Sequence, residues 1–233
     1  DHASYQAGTV PSDLAVDLLN DDEHPDLVAV DSSGYAILVL LNRGDGSFAA
    51  PASTAFNRPR SVATGDFTGD NVVDAIVTSG WTNDVYVLPG NGDGTFGNPV
   101  LTPIPARADA VMALNLNGDP HLDAVTGVSD STRDLVVLHG NGDGTFTVAS
   151  EFDAVSLNEP VSFDAADINE DGALDLLVAD TRSVFILYGT GDGTFAEDAT
   201  GDVPGPTRCS AGSQAVLADI NGDGRPDLLA SND

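Results

Sequence analysis

The chain has 233 residues, enough for one large domain with its own core. Its eight basic residues are all arginine and face thirty-seven acidic ones, a formal charge of −29, so it lacks the basic face that nucleic acid or an anionic membrane surface requires. Cys209 is the only cysteine, which excludes an intrachain disulfide framework, and no apolar run is long enough to read as a membrane-spanning helix.

Residues 1–10 are polar and aromatic, and are expected to form the outer strand of a sheet whose other strands lie elsewhere. From residue 11 the chain repeats one plan. A first apolar strand at 14–16 runs into an acidic loop, a second at 27–30 leaves it, and a third at 35–40 follows. Gly44-Asp45-Gly46-Ser47-Phe48 then reverses the chain, a hairpin signal, into a fourth strand starting at Phe48. The second repeat has strands at 61–63, 75–77 and 85–88 and the turn Gly92-Asp93-Gly94-Thr95-Phe96. The third has 110–112, 124–125 and 135–138 and the turn Gly142-Asp143-Gly144-Thr145-Phe146; the fourth has 161–163, 176–178 and 184–187 and the turn Gly191-Asp192-Gly193-Thr194-Phe195. The last repeat supplies strands at 215–217 and 228–229. Pro103-Ile104-Pro105 and Pro204-Gly205-Pro206 read as connections between repeats, and no stretch sustains a helical period.

Each loop between first and second strands places oxygen side chains where a short chain can wrap a hard cation. Asp219, Asn221, Asp223 and Asp227 stand at positions one, three, five and nine, with Gly224 at six to allow the bend. Asp167, Asn169, Asp171 and Asp175 repeat the pattern with Gly172. Asp66, Thr68, Asp70 and Asp74 keep it with Asn71, a residue tolerant of left-handed geometry, in the glycine slot. Asn115, Asn117, Asp119 and Asp123 start with an amide and carry Pro120 at six, which cannot take a positive φ. The first loop, from Asp17 to Asp26, is one residue too long, which leaves Asp21 and Asp22 both open as its fifth-position ligand. Ca²⁺ takes six to eight oxygens, so a seventh-position carbonyl and water would complete each set.

Two markers hold one period. Asp66 to Asn115 is 49 residues, followed by 52 to Asp167 and 52 to Asp219, while the aspartates of the Gly-Asp-Gly turns are 48, 50 and 49 apart. Four short antiparallel strands per repeat of about fifty residues is the arithmetic of a β-propeller blade. The expected fold is therefore all-β, a β-propeller of about 4.5 repeats, either five-bladed or part of a larger ring. The expected blades are 11–57, 58–106, 107–157 and 158–208, with 209–233 as the first half of a blade shared with residues 1–10.

The paired signals, D-x-N-x-D-G-x-x-D and G-D-G-T-F once per repeat, resemble the FG-GAP and VCBS repeats of integrin-α-like propellers and secreted microbial proteins. The resemblance covers nearly the whole chain. It implies Ca²⁺ in the loop joining the first two strands of each blade, up to one ion per loop, and usually seven blades, more than this chain holds. Carried over position by position, the ligands are Asp219, Asn221, Asp223, Asp227 and the Arg225 carbonyl; Asp167, Asn169, Asp171, Asp175 and the Ala173 carbonyl; Asp66, Thr68, Asp70, Asp74 and the Val72 carbonyl; Asn115, Asn117, Asp119, Asp123 and the His121 carbonyl; and Asp17, Asn20, Asp22, Asp26 and the His24 carbonyl. The resemblance also implies adhesion, glycan recognition or structural display, without choosing among them.

No nucleophile–base–orienter set stands out, and His24 and His121 fill a loop position that Val72, Ala173 or Arg225 fills elsewhere, so the expectation is a protein without catalytic activity. Trp81, between the second and third strands of its repeat, is the candidate recognition residue, with Tyr35 at the corresponding place in the first repeat. Three functional readings stay open. The first is a calcium-stabilised extracellular recognition or adhesion module with a carbohydrate or protein ligand. The second is an assembly unit whose incomplete blade is completed by another chain or by self-association. The third is an accessory domain of a secreted enzyme.

Overall fold

The computed structural model describes residues 4–128, 134–152, 162–179, 184–197 and 215–230. Cys209 and the Pro204–Pro206 connection lie outside these residues. The described residues form four four-stranded antiparallel sheets and one two-stranded sheet, with no helix. The first sheet is β1 (Pro11–Asp17), β2 (Asp26–Asp31), β3 (Ala36–Leu40) and β4 (Ala52–Ala55), and the second is β5 (Pro59–Gly65), β6 (Asp74–Ser79), β7 (Asp84–Leu88) and β8 (Val100–Pro103). The third comprises β9 (Ala108–Leu114), β10 (Asp123–Val128), β11 (Leu135–Gly140) and β12 (Phe146–Phe152); the fourth comprises β13 (Ser162–Ala166), β14 (Asp175–Ala179), β15 (Val184–Gly189) and β16 (Phe195–Glu197). β17 (Ala215–Ala218) and β18 (Asp227–Ala230) complete the set. Within each sheet the strands follow chain order, the meander expected of a blade.

The sheets stack face to face along the chain, and the second strands show why. β6 and β10 are buried at every residue. Successive side chains of a strand point to opposite faces, so a strand between two neighbours reads as a continuous apolar run that feeds two cores. Ala75 and Val77 join Val28, Val30, Ile37 and Val62 in the core between the first and second sheets. Ile76, between them in sequence, joins Val111, Ala124, Val136 and Phe146 on the other side. Val125 faces Leu176 and Val178 in the next core, and Leu177 faces Ala215 in the last.

First strands lie side by side, β1 against β5, β5 against β9, β9 against β13 and β13 against β17. Side chains stitch them together. Asp13 accepts from the Ser61 hydroxyl at 2.6 Å and from the Val62 N–H at 3.0 Å, and Asp164 accepts from the Leu217 N–H at 2.6 Å. Among the described residues, apolar side chains are exposed at both ends of the array: Leu14, Val16 and Leu18 at the first sheet, and Val216, Ile220, Leu228 and Leu229 at the last.

Three features differ from the sequence-based expectation. In the first two sheets the fourth strand starts at Ala52 and Val100, not at Phe48 and Phe96, which make only isolated bridges to Asn42 and Gly90. Pro51 and Pro99 lack the N–H a continuous ladder needs, whereas the third repeat has no proline there and its strand runs from Phe146. Tyr35 belongs to the turn before β3. Residues 4–10 form no strand; Ala7 and Tyr5 lie against the free face of the first sheet, Tyr5 meeting Phe48 edge-on at 5.4 Å.

Candidate metal loops and a surface aromatic pair

Strand order puts the acidic loops and the Gly-Asp-Gly turns at one end of the sheets. The β2–β3 and β6–β7 turns and the connections between sheets lie at the other.

At the acidic end each loop folds on its own oxygens. Asp66 accepts from the N–H groups of Gly69, Asp70 and Asn71, and Asp70 accepts from Val72. Asp219 accepts in the same way from Gly222, Asp223 and Gly224, which lower its pKa, and Asp223 accepts from Arg225. Asp167 accepts from Asp171 and Gly172. The bend that glycine was expected to supply is present: Gly172 and Gly224 have φ of 90° and 86°, and Asn71 adopts 63° in the same slot. In the loop of Asn115, which has Pro120 there, Asn117 and Asp119 still make the corresponding turns, to the Asp119 and His121 N–H groups.

The ninth-position carboxylates of the first four loops are buried, and Asp227 of the last is half-buried. Asp26, Asp74, Asp123 and Asp175 are 0% exposed. Each accepts at one oxygen from the second-position N–H, that of Leu19, Phe67, Leu116 or Ile168, and at the other from the N–H of Asn42, Gly90, Gly140 or Gly189, just after or at the end of the third strand. They staple loop to sheet. Burial pushes the Asp74 pKa up, and N–H donors only partly offset it. No Arg side chain pairs with these four carboxylates among the described residues.

These bonds settle the alignment of the first loop. The Leu19 N–H meets Asp26 as the Phe67 N–H meets Asp74, so Leu19 is its second position and Leu18 its first. Asn20 accepts from Asp22, and Asp22 from His24, the pattern of third- and fifth-position residues elsewhere. Asp22 therefore stands at position five. Asp17 falls one residue early, on β1, where it accepts from the Leu18 N–H.

A divalent cation fits the chemistry of this donor set. The side chains are hard oxygens, the ninth carboxylates of the first four loops are buried charges without a cationic partner among the described residues, and the Thr68 hydroxyl, at position three, is buried beside Asp74 without a hydrogen bond of good geometry. Among the described residues no three Asp, Glu, His or Cys side chains already converge to enclose an ion. In the Asp–Gly turns between third and fourth strands the aspartates are satisfied locally: Asp45, Asp93, Asp143 and Asp192 accept from the hydroxyl and N–H of Ser47, Thr95, Thr145 and Thr194. For Asp192 the Thr190 and Thr194 hydroxyls bring the pKa to about 2.

At the opposite end the structure brings Tyr35 and Trp81 together, with ring centroids 5.3 Å apart and planes at 37°. Both remain open to solvent, Tyr35 at 46% and Trp81 at 57%. Three segments hold them. The Tyr35 carbonyl accepts from the Phe56 N–H at 2.8 Å, tying the β2–β3 turn to the connection between the first two sheets. In that connection the Arg58 carbonyl accepts from the Gly80 N–H, and the Asn57 carbonyl accepts from the Ser79 hydroxyl, which itself accepts from the Trp81 N–H. Asp31 fixes the turn below Tyr35 by accepting from the N–H groups of Thr9, Val10, Ser33 and Gly34.

Sequence reasoning missed Arg58. It is exposed, has φ of 46°, and lies across Gly80 beside Trp81. Nothing in the sequence marks it, because a residue before proline is expected to be extended.

The FG-GAP-like repeat model matches residues 19–77, 115–178 and 167–230. A search of curated protein sequences returns no match. Among solved structures, the chain resembles an Agrocybe aegerita lectin specific for non-reducing terminal N-acetylglucosamine, at 20% identity and TM-score 0.53, covering 78% of this chain and 49% of the lectin. It resembles BBS1N, solved with ARL6DN, at 15% identity and TM-score 0.57, covering 99% of this chain and 62% of that one. The Photorhabdus luminescens Tc holotoxin pore matches at 19% identity and TM-score 0.51, covering 96% of this chain but 11% of that one. The chain thus spans less than two thirds of each, and at these identities the likeness is one of fold. Repeat matches over most of its length, on the same acidic loops and strands, make the chain a member of the FG-GAP-like repeat family.

Proposed function

We propose that the chain is a β-propeller recognition module that works outside the cell, takes a carbohydrate on its Tyr35–Trp81 surface and is held together by Ca²⁺ in its acidic loops. The observation that carries this reading is the exposed aromatic pair. One face of a pyranose ring presents C–H groups, and these pack on the electron-rich face of an indole or phenol. Trp and Tyr supply that contact at little conformational cost. The fold likeness to a lectin supports the same direction without identifying a sugar. Bound calcium would supply positive charge among the loop carboxylates, countering the repulsion that otherwise opposes folding. Asp66, Asp167 and Asp219, with the residues at positions three, five and nine of their loops, are the residues that would hold it. No catalytic role is assigned to any residue.

A glycan array probed with the wild-type chain and with Trp81→Ala, both in calcium, tests the reading. Expected is binding to a defined set of glycans, lost on the Trp81 change in a protein with unaltered melting. Absence of wild-type binding to any glycan would contradict it.

A second reading is assembly through the two end sheets of the array. It is favoured by the exposed Leu14, Val16 and Leu18 at one end and Val216, Ile220, Leu228 and Leu229 at the other. Sedimentation across a concentration series tests it: a monomer at all concentrations would rule out self-association.

A further inference from the structure

We infer that the sugar taken at the Tyr35–Trp81 surface is acidic, carrying a carboxylate or sulfate that Arg58 binds. The inference rests on the reading of that surface as a sugar site.

Arg58 is placed for this task. A Cβ on Gly80 would lie 3.2 Å from Arg58 Cδ and 3.3 Å from Arg60 Cδ, so both arginine stems cross the backbone next to Trp81. Three acidic residues at this end of the sheets, Asp109, Asp31 and Asp84, have other partners. Asp109 pairs with Arg60 at 2.5 Å and Arg107 at 3.3 Å, and Asp31 is enclosed by four N–H donors. Asp84 accepts from the Tyr86 hydroxyl at 3.3 Å. Arg58 is exposed. Its stem crosses the backbone of Gly80, the residue before Trp81, and its guanidinium has no ion pair among the described residues.

Backbone geometry singles out the same two residues. Only four non-glycine residues among those described have positive φ. Asn71 and Glu170 belong to acidic loops; the other two are Tyr35 at 54° and Arg58 at 46°. A bulky side chain in that region is strained, and in Arg58 the following Pro59 adds to the strain. Strain of this kind is retained where it aims a side chain.

Ligand chemistry follows from the geometry. An acidic pyranose carries its charged group at the ring edge, so a ring stacked on Trp81 directs that group sideways, where a planar guanidinium can form paired hydrogen bonds to carboxylate or sulfate oxygens. The chain's net charge of −29 does not forbid this. Strands of six residues place the acidic loops about 20 Å away, beyond a screening length of about 8 Å in physiological salt.

The test is a calorimetric titration of the intact chain, in calcium, with three probes: a hexuronate trisaccharide, the same trisaccharide with its carboxylates reduced to alcohols, and a sulfated trisaccharide. Wild type and Arg58→Gln are compared, with melting curves confirming that both are folded. Expected is binding of at least one acidic probe about tenfold tighter than the neutral one, with the preference abolished by Arg58→Gln. Which acidic probe is preferred distinguishes carboxylate from sulfate. Equal or tighter binding of the neutral probe would overturn the inference while leaving the sugar-site reading intact. A preference that persists in Arg58→Gln would also overturn it. No binding of any probe would overturn the inference, and the glycan array then decides the fate of the sugar site by itself.

Discussion

Burial opposes ionisation of Asp31, yet N–H donors from Thr9, Gly34, Val10 and Ser33 outweigh it and hold its pKa below the ordinary value of 3.8. A lowered folded-state pKa means that the charged form contributes stability above the unfolded-state pKa, and that this contribution disappears as pH falls through the folded-state value. The turn under Tyr35 is therefore expected to loosen below about pH 4, and Asp31→Asn to remove that part of the acid dependence. Chemical denaturation of both proteins between pH 3 and 7 checks it; identical pH profiles would refute the role given to Asp31. Arg58 gives a second residue-scale prediction. Arg58→Gly relieves the positive φ and is expected to raise stability by about 1 kcal/mol, while weakening binding of an acidic sugar. A loss of stability would show that the Arg58 backbone is not strained. Neither residue is legible in sequence. Asp31 ends a β-branched strand like any other aspartate before a turn, and Arg58 acquires its place only when the first two sheets pack.

At the scale of the element, the acidic loop has two jobs, and its ninth carboxylate shares in both, as a staple in the fold and as a ligand in the proposed metal site. The ninth residue is a buried staple between loop and third strand, and the first, third and fifth shape the exposed rim. Asp123→Ala would strand the N–H groups of Leu116 and Gly140 in the interior and is expected to cost on the order of 3 kcal/mol with or without calcium. Asp223→Ala touches the exposed rim and is expected to lower the melting temperature chiefly in calcium, shrinking the difference between calcium and chelator. Thermal melts of both variants in each condition separate the roles. An Asp223→Ala protein that keeps the full calcium-dependent shift would contradict a metal role for this loop. Strand positions and turns were readable in advance because they rest on local chemistry: β-branched runs, and glycines with φ near 75–85° in every Gly-Asp-Gly turn. Departures arose where one residue changed the local frame. Pro51 and Pro99 delay the fourth strands, and the extra residue in the first loop leaves Leu18 in the position that Asp66, Asn115, Asp167 and Asp219 fill elsewhere.

For the whole molecule, the repeat period was the strongest sequence signal, and the structure follows it as a row of like sheets with a core between each pair. What the period does not carry is the closure of the row, because closure depends on what covers Leu14, Val16 and Leu18 at one end and Ile220, Leu228 and Leu229 at the other. The architecture also separates charge. Acidic loops gather at one end of the sheets, and Tyr35, Trp81 and Arg58 at the other. A binding surface can then vary without disturbing the loops that hold the fold. Trp81 is the only tryptophan in the chain, so its fluorescence reports on that surface alone. The most direct test of the account is a titration of calcium-loaded protein with the saccharides selected by the array, followed by tryptophan emission. Saturable change in emission, absent in a variant where Tyr35 is replaced by alanine and ligand binding is lost, is the expected result. Saccharide binding that leaves the emission of Trp81 unchanged would contradict it and place the ligand elsewhere.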